Sequence, residues 1–166
     1  MLDYEHIGQL MDVKILPSAQ APEIAPKKQS ILDILCQDQQ GIQYIIEMQV
    51  AKTKGFEKRA QYYAAKAYSD QLLAGQGVEN LREVVFVAIT DFIMFLNKTS
   101  VKSDHIILDR KTKGHDLRDF CFTFIELPKF KKEIDALEGH TEKWYYYLKH
   151  GHETDGKLYK TLLTIY

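Results

Sequence analysis

The chain has 166 residues, enough for one domain with its own hydrophobic core. Its 45% hydrophobic and 27% charged content is ordinary for a globular protein, and its net charge of −1 is a point against nucleic-acid binding, since duplex binding rests on phosphate neutralisation by lysine and arginine. No apolar run approaches the ~20 residues of a membrane span, and no leader with a cleavage signature opens the chain. The two cysteines, Cys36 and Cys121, sit in apolar strand-like runs and read as buried thiols. Together these features predict a cytoplasmic protein with no membrane association.

In chain order, Met1 to His6 reads as a frayed end, Leu10 to Leu16 as a strand, and the segment from Pro17 to Lys28, with Pro22 and Pro26, as an extended loop. Ile31 to Val50 then gives two strongly apolar strand candidates, each interrupted near its centre by Asp33, Glu47 and Gln49. Asp38-Gln39-Gln40-Gly41 suits a type I turn closed by a left-handed glycine, which sets Asp38 opposite Ile42. Counting back from that turn places Asp33 opposite Glu47, with β-carbons roughly 5 Å apart, and Gln49 on the same face. Leu32, Ile34, Cys36, Tyr44, Ile46, Met48 and Val50 fall on the other face, which is expected to be core. Ile31, Leu35 and Ile45 flank the acids and imply that their face is covered too.

From Phe56 to Leu73 the apolar spacing predicts a helix whose inner stripe is Phe56, Ala60, Tyr63 and Ala67, with Ala64 and Tyr68 beside it, stopped by Gly75 and Gly77. Glu83 to Phe92 reads as a buried strand, and His105 to Leu108 and Phe120 to Leu127 as two more. Lys129 to Leu137 and Thr141 to His150 read as short helices, and Leu158 to Tyr166 as a third. Trp144 and Leu148, at i, i+4 spacing, are expected to dock the C-terminal helix. Strand, hairpin partner, crossover helix and further strand make an α/β fold with a mixed sheet.

A carboxylate inside an apolar run costs several kcal/mol unless it is paired, protonated or bound to metal. Two adjacent carboxylates repel when ionised, which raises one pKa or recruits a cation. Oxygen donors of this kind favour Mg²⁺ or Mn²⁺. The competing reading is a solvated hairpin face with incidental acids.

An Asp followed on the next strand by Glu-x-Gln, with a Tyr-rich helix after it, resembles the PD-(D/E)XK nuclease superfamily, and more narrowly its transposase-like branch that includes the recombination-promoting nucleases of mobile elements. The segments that carry the resemblance are LDILCQDQQGIQYIIEMQ (Leu32 to Gln49), FEKRAQYYAAKAYSDQLLAGQ (Phe56 to Gln76) and LREVVFVAITDF (Leu81 to Phe92). It implies a restriction-endonuclease-like core, a mixed central sheet flanked by helices, and DNA hydrolysis with Mg²⁺ or Mn²⁺. Asp33 and Glu47 would be the metal ligands, and Gln49 would stand where lysine is usual. An exchange of Gln49 for Lys is then expected to retain or raise activity.

Auxiliary roles fall to three further residues. Arg59, one turn into the helix, can supply the charge that Gln49 lacks, with Tyr63 on the same face; each is also readable as an ordinary surface or core residue. Asp91 either joins the acids or caps a turn. Lys52, Lys54 and Lys58 crowd the segment after Gln49 as candidate phosphate contacts, and a solvated surface is the alternative. Relatives begin with a further helix, so a single domain shortened at both ends is expected, with apolar sheet surface left for a second copy to cover. The contrasting function is a non-catalytic relative that binds DNA or self-associates.

Overall fold

A computed structural model of the chain describes residues 12–17, 19–20, 30–31 and 33–150. The expected end at Met1 to His6, most of the Pro17 to Lys28 loop, Leu32, and the helix expected from Leu158 to Tyr166 lie outside the described residues.

Among the described residues the strands are β1 (Val13–Leu16), β2 (Ala19–Gln20), β3 (Ser30–Ile31), β4 (Ile34–Asp38), β5 (Gln43–Gln49), β6 (Val84–Thr90), β7 (Lys102–Ile106) and β8 (Phe120–Glu126). Among the described residues there are two α-helices, α1 (Phe56–Ser69), which joins β5 to β6, and α2 (Gly139–His150), which follows the last strand. Six strands form one mixed sheet in the order β1-β4-β5-β6-β8-β7. Its centre, β5-β6-β8, is parallel, while β1, β4 and β7 run antiparallel to their neighbours. α1 makes the parallel crossover from β5 to β6. This is the α/β fold with a mixed sheet that the element order predicts, and it is consistent with the restriction-endonuclease-like core that the resemblance implies.

The hairpin turn forms as its residues require. Gly41 takes φ 86°, its N–H donates to the Asp38 carbonyl at 3.1 Å, and the Asp38 N–H donates to the Ile42 carbonyl at 3.0 Å. The Asp38 carboxylate accepts from the N–H groups of Gln40 and Ile42, both at 2.9 Å. The resulting register pairs Ile34 with Ile46 and Leu35 with Ile45. Asp33 therefore falls next to Glu47, as the turn dictates.

The weight of the two sheet faces departs from expectation. α1 lays Phe56, Ala60, Ala64 and Ala67 on the face that carries the acids, and this core includes Leu35, Ile45, Val84, Phe86, Ala88 and Phe124. Tyr63 and Tyr68 pack at its margin. On the opposite face Cys36 is buried, but Ile34, Met48 and Val50 are exposed, Val50 to 77%. Both faces of this hairpin are apolar, so alternation alone could not rank them; the crossover helix decides which one is sealed.

Three element boundaries also differ. α1 ends at Ser69 with Asp70 as its cap, before Gly75, and Leu73 is exposed. The segment after β8 forms two short 3₁₀ turns, Leu127–Lys129 and Ile134–Ala136, where a helix from Lys129 to Leu137 was expected. β7 begins at Lys102 and stops at Ile106, short of Leu108. α2 docks through Tyr145, whose ring meets Phe130 edge to face at 5.7 Å, whereas Trp144 is half exposed.

Candidate functional site

Glu47 lies on the covered face of β5, 5% exposed, under α1. Asp33, just before β4, is exposed. Backbone bonds lock the two residues together: the Asp33 N–H reaches Glu47 Oε1 at 3.4 Å, and Asp33 Oδ2 accepts the Met48 N–H at 2.9 Å. Burial pushes the Glu47 carboxyl above its ordinary value, and the Asp33 charge pushes it further. The Asp33 N–H and the Arg59 guanidinium pull it partly back.

Gln49 and Arg59 form the second half of the site. Arg59 Nη2 donates to Gln49 Oε1 at 2.5 Å, while Gln49 Nε2 donates to the Ala51 carbonyl at 3.0 Å. The same guanidinium lies over the Phe56 ring, 4.9 Å from its centroid. Its Nε–H is buried and has no acceptor. Tyr63, one turn on, feels Arg59, Glu47 and Asp33; burial is the main cause that raises its hydroxyl pKa, and Arg59 opposes the rise. α1 thus aims Arg59 and Tyr63 toward the acid pair.

Asp91 follows the end of β6: its N–H donates to the Gln49 carbonyl at 3.1 Å, and the residue lines a cavity together with Gln49, Met48, Val50, Leu148 and Lys149. Lys52, Lys54 and Lys58 are all exposed around the start of α1.

A second buried carboxylate was not anticipated from the sequence. Glu126, fully buried at the end of β8, pairs with Lys129 at 2.5 Å and accepts the N–H groups of Met94 and Phe95. Lys129 also donates to the Phe95 carbonyl at 3.0 Å. The available signal was an acid closing an apolar strand with a lysine three residues on.

The contrast between the two glutamates is chemical. Glu126 owns a lysine and two amides. Glu47 has one long backbone bond, and among the described residues no lysine or arginine lies within ion-pair distance of it. An under-compensated buried carboxylate beside a second carboxylate is a hard-oxygen donor set, which fits a divalent cation of the Mg²⁺ or Mn²⁺ type. The described residues hold no group of three or more His, Cys, Asp or Glu side chains suited to a metal.

No helix among the described residues is long and apolar enough to cross a membrane. No curated protein and no solved structure matches the chain. The sequence matches the family described as PD-(D/E)XK nuclease family transposase over residues 1–161. With that match across nearly the whole chain, and an α/β core of the corresponding kind, the protein belongs to the PD-(D/E)XK nuclease transposase family.

Proposed function

We propose that the protein is a metal-dependent DNA endonuclease in which Asp33 and Glu47 would hold a Mg²⁺ or Mn²⁺ ion. The observation that carries this reading is the buried Glu47 carboxylate, raised in pKa beside Asp33 and lacking a cation of its own. The ion would supply an activated water and charge neutralisation for phosphodiester hydrolysis. The chain supplies the rest. The Asp33–Glu47 backbone contacts fix the two carboxylates, and α1 excludes water from the inner one.

Gln49 acts as the clamp for Arg59, which takes over the positive charge that a lysine at Gln49 would provide. Tyr63 orients groups between Arg59 and Glu47, and Lys52, Lys54 and Lys58 hold the DNA backbone as it passes the helix start. Asp91, whose N–H holds the Gln49 carbonyl, would be an auxiliary residue beside Gln49.

A specific observation favours self-association alongside this activity, or in place of it. Val13, Ile15, Ile34, Met48 and Val50 leave the outer face of β1-β4-β5 apolar and exposed, as at surfaces that another chain covers. The direct test of the nuclease reading is a calorimetric titration of Mg²⁺ or Mn²⁺ into the native chain and into Asp33→Ala. Saturable binding that the substitution abolishes supports it; equal heats in both chains would overturn it.

A further inference from the structure

The loop after β6, residues 91–101, is held to the sheet by two different kinds of contact. At its middle, Glu126 accepts the N–H groups of Met94 and Phe95, and Lys129 donates to the Phe95 carbonyl. Further along, the hold is a histidine. Lys98 Nζ lies 3.2 Å from His105 Nε2 on β7, and the hydroxyl of Ser103, on the same face of that strand, lies 3.2 Å from the same nitrogen. An ammonium can only donate, so Nε2 accepts and the ring proton sits on Nδ1. The imidazole in this arrangement is neutral. Its ring packs against Phe95, with centroids 4.9 Å apart, and edge to face on Phe124 at 5.3 Å, while the Lys98 ammonium lies over the Phe95 ring at 5.0 Å.

Protonation would put a second N–H on Nε2, facing an ammonium at contact distance. That contact then turns from a hydrogen bond into a repulsion. The carboxylates that could compensate an imidazolium are engaged elsewhere: Asp104 with Lys102 at 3.2 Å and the Thr123 hydroxyl at 2.7 Å, and Glu126 with Lys129. Glu57 of α1 lines the same cavity as His105 but is exposed to water. Burial, and then the Lys98 charge, push the imidazole below its ordinary value of 6.5, with Asp104 and Glu126 opposing.

We infer that His105 is a pH-sensitive latch: neutral, it holds Lys98 and closes the loop 91–101 on the sheet; protonated, it expels Lys98 and frees that part of the loop. The latch bears on the start of α1, because Phe92 of this loop meets Phe56 edge to face at 6.3 Å and Arg59 lies over the Phe56 ring. With the folded value depressed, the closed loop is fully stabilised above 6.5, and that stabilisation is lost as pH falls from 6.5 through the lower folded value. The inference does not depend on the proposed nuclease activity.

Two NMR measurements on the full chain test it. In the first, the ring protons of His105, assigned through their sequential connectivities, should titrate below the ordinary histidine value. The titration should move up in Lys98→Met, which removes the ammonium but keeps a stem over Phe95. In the second, amide exchange is corrected for its intrinsic pH dependence. Protection of the Lys98 N–H, which donates to the Phe95 carbonyl at 3.1 Å, should fall roughly tenfold between about pH 7.5 and about pH 5. Folded His105→Gln should show no such fall. A native His105 that titrates at or above its ordinary value would overturn the inference, and so would native loop protection that does not change with pH; neither result needs a variant to fold. An equal fall in folded His105→Gln would assign the effect to another group and overturn it as well.

Discussion

Arg59 donates to Gln49 from one turn inside α1, so the side chain proposed to stand where a lysine is usual already accepts a cation's hydrogen bond. This changes the expectation for Gln49→Lys. An ammonium there would meet the guanidinium at contact distance, where like charges repel. Gln49→Lys alone should lower nicking activity, whereas Gln49→Lys combined with Arg59→Gln should recover it by moving the charge from helix to strand. Initial nicking rates for the native chain, the single variant and the double variant check this, and a single variant faster than the native chain would refute it.

The raised Glu47 carboxyl makes metal-free stability depend on pH in a stated direction. Between its ordinary value of 4.5 and its raised folded value, the folded chain binds more protons than the unfolded chain, so stability falls as pH rises through that window. Divalent metal favours the ionised form and should reverse the trend, with binding that tightens over the same window. Melting temperatures in EDTA and in Mg²⁺ across that range test it. Glu47→Gln should flatten the EDTA curve only in part, because burial raises Glu83 too, aided by Asp119 and Asp38.

The Glu126–Lys129 pair gives a prediction independent of catalysis. Glu126→Ala strands a buried ammonium and removes the acceptor for two loop amides, a loss of about 3–5 kcal/mol. Replacing both partners with apolar residues should cost much less. Urea denaturation of the single and double variants measures the difference, and equal losses would show that the pair is not acting as a unit.

The exposed outer face of β1-β4-β5 predicts a dimer. Sedimentation at increasing concentration should show self-association, weakened by Ile15→Lys and Val50→Lys. A monodisperse monomer at high concentration would contradict it.

The hairpin was legible because its information is local. A turn that needs Gly41 at positive φ sets the register, and the register alone brings Asp33 to Glu47. The start of α1 was legible from the same kind of signal. The balance between the two faces was not, since it depends on which side of the sheet the crossover helix α1 comes to rest. Glu126 shows this limit: it closes an apolar strand, and only the fold brings Lys129 and the Met94 and Phe95 amides to it.

Plasmid nicking tests the central claim most directly, with the native chain and Glu47→Ala compared in Mg²⁺, Mn²⁺ and Ca²⁺, and folding of the variant confirmed by its thermal transition. The account predicts that the native chain converts supercoiled plasmid to the open circle with Mg²⁺ or Mn²⁺, and that folded Glu47→Ala produces none. Ca²⁺, a larger ion with looser coordination, should bind without supporting cleavage. If Glu47→Ala nicks as fast as the native chain, Glu47 is not part of the catalytic site and the account is wrong.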